Sequence, residues 1–181
     1  MLTQQTIVLI GSGCTGKILA GVLSDSDYVV LLCDESFPKA VALATEVVRY
    51  APGSRVEAME CIFDGAWEAD IVILALPLAM QLQLAHRIKE VVNQKILLIV
   101  NDEEEGLVKD PASMAGHQQQ LLQLLPNTAI FQLMARANGV VANGHPGFGE
   151  GYSLRHDIDA IAPLSQRLQT AGWHLLLPPS R

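Results

Sequence analysis

Two groups of residues in this chain carry types and spacings that could do chemistry. The first is Gly11-Ser12-Gly13-Cys14-Thr15-Gly16, a G-x-G-x-x-G turn, with Asp34 standing about twenty positions on. Glycines at this spacing serve a diphosphate. Gly11 allows a tight turn, Gly13 has no side chain to hold a pyrophosphate off the backbone, and Gly16 lets a helix lie close on a strand. An acid at the position of Asp34 is placed to bond the 2′-hydroxyl of a ribose. The second group is scattered: His86 and Lys89 in one segment and His145 in another are the side chains able to deliver a proton. The competing structural reading of the turn is an unliganded glycine corner. The competing reading of each histidine is an ordinary core or surface residue.

The flanking elements decide how the turn is read. Ile7 to Ile10 is an unbroken run of branched apolar residues, the composition of a strand buried on both faces. After the turn, Ile18, Leu19, Val22 and Leu23 fall on one face of a helix, whose N-terminus offers unpaired N–H groups and a positive dipole end. A second strand, Tyr28 to Cys33, leads into Asp34. Strand, glycine turn, helix, strand and acid together point to a nucleotide coenzyme.

The rest of the chain repeats this alternation. A helix is predicted over Lys39–Val48, a short strand over Arg55–Met59, and at most a single helical turn over Asp64–Ala69. Asp70–Pro77 is a buried strand whose Ala75-Leu76-Pro77 falls at the carboxyl end, where ligands of open parallel sheets sit. A long helix over Leu78–Val92 and a strand over Lys95–Val100 ending in Asn101 follow. A loop through Met114 then feeds a helix over His117–Leu125 and a sixth strand over Thr128–Met134. Five glycines lie between 139 and 151, and Asn138-Gly139 and Asn143-Gly144 there fit either a hairpin or a loop over the coenzyme. Asp157–Ala171 is a last helix and Trp173–Leu177 a last strand. The expected fold is α/β: a doubly wound, mostly parallel Rossmann sheet in three α/β/α layers, with residues 1–181 forming one dinucleotide-binding domain.

Bulk properties narrow the functions. Half of the 181 residues are hydrophobic and only 17% are charged, enough for a sizeable core. A net charge of −7 argues against nucleic acid, and no basic cluster or apolar span points to a membrane. The start, Met1 to Thr6, lacks the basic and apolar stretches of a secretory leader. The three cysteines (14, 33 and 61) form no C-x-x-C pair; Cys33 and Cys61 read as small core residues, and a reducing cytoplasm is expected. No His, Cys or Asp cluster has metal-ligand spacing, so no metal is expected. An apolar chain of this kind often hides surface in a homodimer.

The sequence resembles the NADP oxidoreductase, coenzyme F420-dependent family of small Rossmann oxidoreductases, kin to the nucleotide domain of prephenate dehydrogenases and of ferric reductases. The resemblance is carried by IVLIGSGCTG, by ILALP at 73–77, by KILLIVND at 95–102, and by HQQQLLQLLPNTAIFQLMARAN at 117–138. It implies that Gly11, Ser12, Gly13, Cys14 and Thr15 hold the pyrophosphate and Asp34 the adenine ribose. It also implies that Ala75, Leu76 and Pro77 line the nicotinamide side with Asn101 nearby. Hydride would pass between a nicotinamide and a flavin, deazaflavin F420 or small carbonyl partner.

This chain departs from the family where NADP-using members carry Ser-Arg or Asn-Arg after the second strand. Cys33-Asp34-Glu35 stands there instead; no arginine follows closely and Lys39 is the only close cation, so NAD is favoured over NADP. The family's Asn-Pro is here Asn101-Asp102 followed by Glu103–Glu105, acids that read as a solvated loop. A flavin-like partner takes up its own proton, which agrees with the lack of a clear protein acid. His145 and His86 are the candidates if a carbonyl is reduced, and His117, His156 and His174 read as serving structure or facing solvent. The alternative is a non-catalytic NAD(H)-binding sensor or subunit. A methyltransferase using S-adenosylmethionine is more distant, because the third glycine is complete.

Overall fold

The computed structural model describes residues 4–24, 27–100, 111–135, 147–148 and 155–175. The order of elements is β1 (Thr6–Ile10), α1 (Cys14–Ser24), β2 (Val29–Cys33), α2 (Phe37–Tyr50), β3 (Val56–Ala58), α3 (Ile62–Glu68) and β4 (Ile71–Leu74). Then come α4 (Leu78–Ile88), β5 (Ile96–Val100), α5 (Pro111–Leu124), β6 (Ala129–Ala135), β7 (Gly147–Phe148), α6 (Arg155–Thr170) and β8 (Trp173–Leu175).

Strands β3-β2-β1-β4-β5-β6 lie side by side, all parallel. The outer edge of β6 is shared by two short antiparallel strands: β7 pairs with Ala129 and Ile130, and β8 with Leu133 to Ala135. The expected three-layer, mostly parallel sheet is what the chain forms. Its strand order reverses between β1 and β4, which makes the carboxyl ends of these two strands the switch point of the fold.

The apolar runs explain the layering. Along a strand, side chains alternate between faces, so a strand without polar residues must be covered twice. On one face Ile7, Leu9, Ile73 and Leu98 meet Leu19 and Leu23 of α1, Leu43 of α2 and Leu164 of α6. On the other, Val8, Ile10, Val72 and Leu97 meet Ile62 of α3, Leu84 and Ile88 of α4 and Leu121 of α5. Both sets are almost fully buried.

Several boundaries differ from the sequence expectation. Residues 62–68 form a full helix rather than one turn, because Ile62 and Ala66 face the sheet one turn apart while Phe63 and Trp67 stay exposed. Cys61, expected in the core, is exposed at the position that caps this helix, whereas Cys33 is buried. Helix α4 stops at Ile88 instead of Val92. The chain closes there in a tight turn, with Val91 and Val92 both bonding the Ile88 carbonyl and Gln94 at φ 60°. Helix α5 begins at Pro111, within the stretch expected to be loop; proline suits a first helical position because its missing N–H would be unpaired there anyway. The choice between hairpin and loop around 138–144 lies outside the described residues.

Two glycines in α1 separate contact from propensity. A Cβ on Gly16 would fall 1.9 Å from the Gly11 carbonyl oxygen, whereas a Cβ on Gly21 meets nothing within 4 Å. Gly16→Ala should therefore destabilise the protein by about 1–3 kcal/mol, while Gly21→Ala should stabilise it by up to about 1 kcal/mol. Urea unfolding of the two variants checks both signs.

Candidate functional site

The turn between β1 and α1 is fixed from both sides. Gly11 donates its N–H to the Cys33 carbonyl at the end of β2 (2.9 Å), and Ala75, just past β4, donates to the Ile10 carbonyl (2.9 Å). Gly11 has φ +113°, and a Cβ there would lie 2.2 Å from the Ala75 oxygen. Only glycine fits that approach, and Gly16 is held by the same logic against Gly11. Gly13 and Cys14 are left exposed where α1 begins. The first turn of a helix presents N–H groups without intrahelical partners, and the Lys17 N–H already bonds the Gly13 carbonyl. The sequence-predicted residues Gly11, Ser12, Gly13, Cys14, Thr15 and Gly16 thus form one turn beside Ala75 and Leu76, with Gly13 and Cys14 at its exposed crest and Gly11 and Gly16 buried beneath. Thr15 turns inward and is nearly buried.

Asp34 is tied to that edge. Its Oδ2 accepts from the Ser12 N–H (2.9 Å) and Ser12 Oγ (2.6 Å), and its Oδ1 accepts from the Ser36 N–H (2.9 Å). Burial alone would raise the carboxyl pKa. The Ser12 hydroxyl, the Ser36 and Ser12 amides and the positive charge of Lys39 outweigh it and hold the pKa below the usual value. A carboxylate has about four acceptor positions, so about one remains open to a further donor.

Beside Asp34 lies a recess of about 60 Å³ lined by Ile62, Leu76, Met80 and Leu84, with Asp34 and Glu35 on its rim. Met80, Gln83, Leu84 and Arg87 recur at helical spacing, so one stripe of α4 faces this space. Arg87 also borders it, and its Nη1 lies 3.6 Å from Glu35 Oε1. Lys39 is therefore not the only cation near the acids after β2. Sequence distance hid Arg87, which the fold delivers from another helix.

A polar contact that sequence reasoning missed lies under the carboxyl ends of β4 and β5. Gln81 is fully buried on α4. Its Nε2 donates to the Leu76 carbonyl (2.7 Å) and to the Val100 carbonyl (3.0 Å), joining the carboxyl ends of β4 and β5. Its Oε1 lies 3.1 Å from Nε2 of buried His117 on α5. With both amide hydrogens spent on carbonyls, the Gln81 oxygen must accept, which puts a hydrogen on His117 Nε2. The available signal was phase: Gln81 sits in line with Leu84, Ala85 and Ile88 on the apolar face of α4.

Of the remaining expected residues, Pro77 precedes α4 and is exposed. His86 is exposed in the last turn of α4, about 12 Å along the helix axis from Leu78. Asn101 and His145 lie outside the described residues. Among the described residues no group of His, Cys, Asp and Glu could hold a metal ion, and no helix is long and apolar enough to cross a membrane.

Comparison with known proteins agrees with this geometry. Residues 6–101 match the family model described as NADP oxidoreductase, coenzyme F420-dependent. No curated protein matches the sequence. Among solved structures, a candidate F420-dependent NADP-reductase from Arthrobacter sp. FB24 is 21% identical with TM-score 0.63, covering 94% of this chain and 82% of that one. A pyrroline-5-carboxylate reductase from Coxiella burnetii is 16% identical with TM-score 0.63, covering 99% and 60%. An imine reductase from Bacillus cereus is 14% identical with TM-score 0.62, covering 91% of this chain and 52% of that one. The chain thus spans about half the length of that reductase, and these similarities are similarities of fold.

The clamp on Asp34 has a measurable consequence. A carboxyl whose native pKa is depressed contributes stability above its unfolded value of about 3.9 and loses it as pH falls through the native value. Carbon-13 NMR titration of Asp34 should give a midpoint below that of a free aspartate, and Ser12→Ala should move it upward. A midpoint above about 4 would show that burial, not the clamp, governs this group.

Proposed function

Because the chain belongs to the NADP oxidoreductase, coenzyme F420-dependent family, we propose that it is an NAD(P)-dependent oxidoreductase, with NAD(H) favoured. The observation that carries this reading is the Gly11–Gly16 edge: bare main chain packed on Ala75 at the switch point, ending in the exposed first turn of α1. The residues present fit such a coenzyme. The amides at Gly13, Cys14 and Thr15 and the positive end of α1 suit a pyrophosphate. Asp34, ionised and held by Ser12, offers its remaining acceptor position to the adenine ribose.

When bound, the nicotinamide supplies or takes a hydride. The protein's part is to bind and orient. Ala75, Leu76 and Pro77 form the side on which a second redox ring or small carbonyl would lie. Gln81 keeps the carbonyls of Leu76 and Val100 in fixed positions beneath that side, so the strand ends there do not move independently. A flavin, F420 or other ring partner would carry its own proton. A carbonyl or imine partner would draw on a protein acid, for which His145 stays the proposed donor.

Calorimetric titration with NAD and NADP, followed by assay of NADH oxidation against flavin, deazaflavin, ferric and cyclic-imine acceptors, tests the proposal. Binding with turnover of one acceptor supports it. Tight binding with no turnover across the whole panel would favour a coenzyme-reading sensor or subunit. Gly13 is exposed, so Gly13→Val should leave cooperative unfolding intact and weaken coenzyme binding at least about a hundredfold, roughly 2.7 kcal/mol. A valine variant that binds as well as the parent removes the phosphate assignment.

A further inference from the structure

We propose that the Glu35–Arg87 pair is the coenzyme-selecting clasp of this chain, with Arg87 a 2′-phosphate receptor held out of use by Glu35. This rests on the coenzyme reading above. Selection against NADP would ordinarily be assigned to the acid that directly follows β2. Here that acid is Asp34, and its carboxylate is committed to Ser12 and Ser36 by three hydrogen bonds. It cannot swing toward or away from an incoming group. Glu35 has no such anchor. Its side chain is 64% exposed, that of Arg87 is 63% exposed, and they meet at 3.6 Å across the rim of the recess beside Asp34.

Two properties make this contact a switch rather than a strut. An exposed ion pair contributes at most about 1 kcal/mol, so it opens readily. The guanidinium also gains by leaving a carboxylate at 3.6 Å, beyond hydrogen-bond reach, for a phosphate able to accept two parallel hydrogen bonds from its fork. The recess is large enough for a few waters and too small for a purine ring. Entry of an adenosine therefore requires movement at the rim, where the clasp lies. In the parent the charges of Asp34 and Glu35 are balanced by those of Lys39 and Arg87. Removing the Glu35 charge leaves the cluster positive and frees the guanidinium for a phosphate.

Calorimetric titration of the full chain with NAD, NADP and 2′,5′-ADP decides the matter. Glu35→Gln should shift the ratio of affinities toward NADP, and raise that for 2′,5′-ADP, by about tenfold or more. The double variant Glu35→Gln/Arg87→Gln should return the ratio to near the parent value. An equal gain in the double variant would show that Arg87 takes no part, and an unchanged ratio in Glu35→Gln would show that Glu35 does not select; either overturns the clasp while NAD binding by the parent preserves the coenzyme reading. Failure of the parent and both variants to bind any of the three ligands would overturn both.

Discussion

The constraint on which the rest depends is a contact between main chains. Where β1 gives way to α1, the Gly11 backbone passes so close to Gly16 and to the Ala75 carbonyl that no side chain fits at either glycine. That approach sets the angle at which α1 leaves the sheet. It also brings β1 and β4 together at their carboxyl ends and exposes the first amides of the helix in the gap between them. Each later feature of the site takes its position from this crossing. The Gly11 N–H holds the end of β2, so Asp34 falls within reach of Ser12; the Ala75 N–H holds the end of β4, so α4 starts beside the same gap.

Charge is arranged on that frame with a division of labour. Asp34 is rigid and ionised because hydrogen bonds more than offset the cost of burying it. Glu35, one residue further, faces solvent and pairs loosely with Arg87. Adjacent acids of the same formal charge thus differ in anchoring: Asp34 accepts three hydrogen bonds, and Glu35 meets only a distant guanidinium. Cys33, just before them, is pushed up to about 12 by burial and then by Cys61, so this thiol stays protonated in the strand.

Much of the architecture was legible in the sequence because it is written locally. The runs Ile7–Ile10, Ile71–Leu74 and Ile96–Val100 have no polar face to give to solvent, which demands helices on both sides and hence a parallel sheet. The glycine turn announced itself by spacing. What was not legible depended on distance along the chain or on a residue's phase. Arg87 could not be assigned to the acids after β2 without knowing that α4 crosses them. Cys61 looked apolar by its neighbours and is instead the exposed residue before α3. The early start of α5 was hidden because Pro111 reads equally as a loop residue and as the opening of a helix.

Gln81 carries a consequence for how sequences of this kind can drift. Turning its amide over would set its oxygen against two main-chain carbonyls, so the group has one admissible orientation and asks for a hydrogen donor opposite. Positions 81 and 117 are therefore expected to co-vary: a lineage that keeps glutamine at the first must keep a donor at the second, and one that abandons either must rebuild the seam between β4 and β5. That correlation would be blind to the substrate, because it belongs to the floor of the crevice and not to its contents.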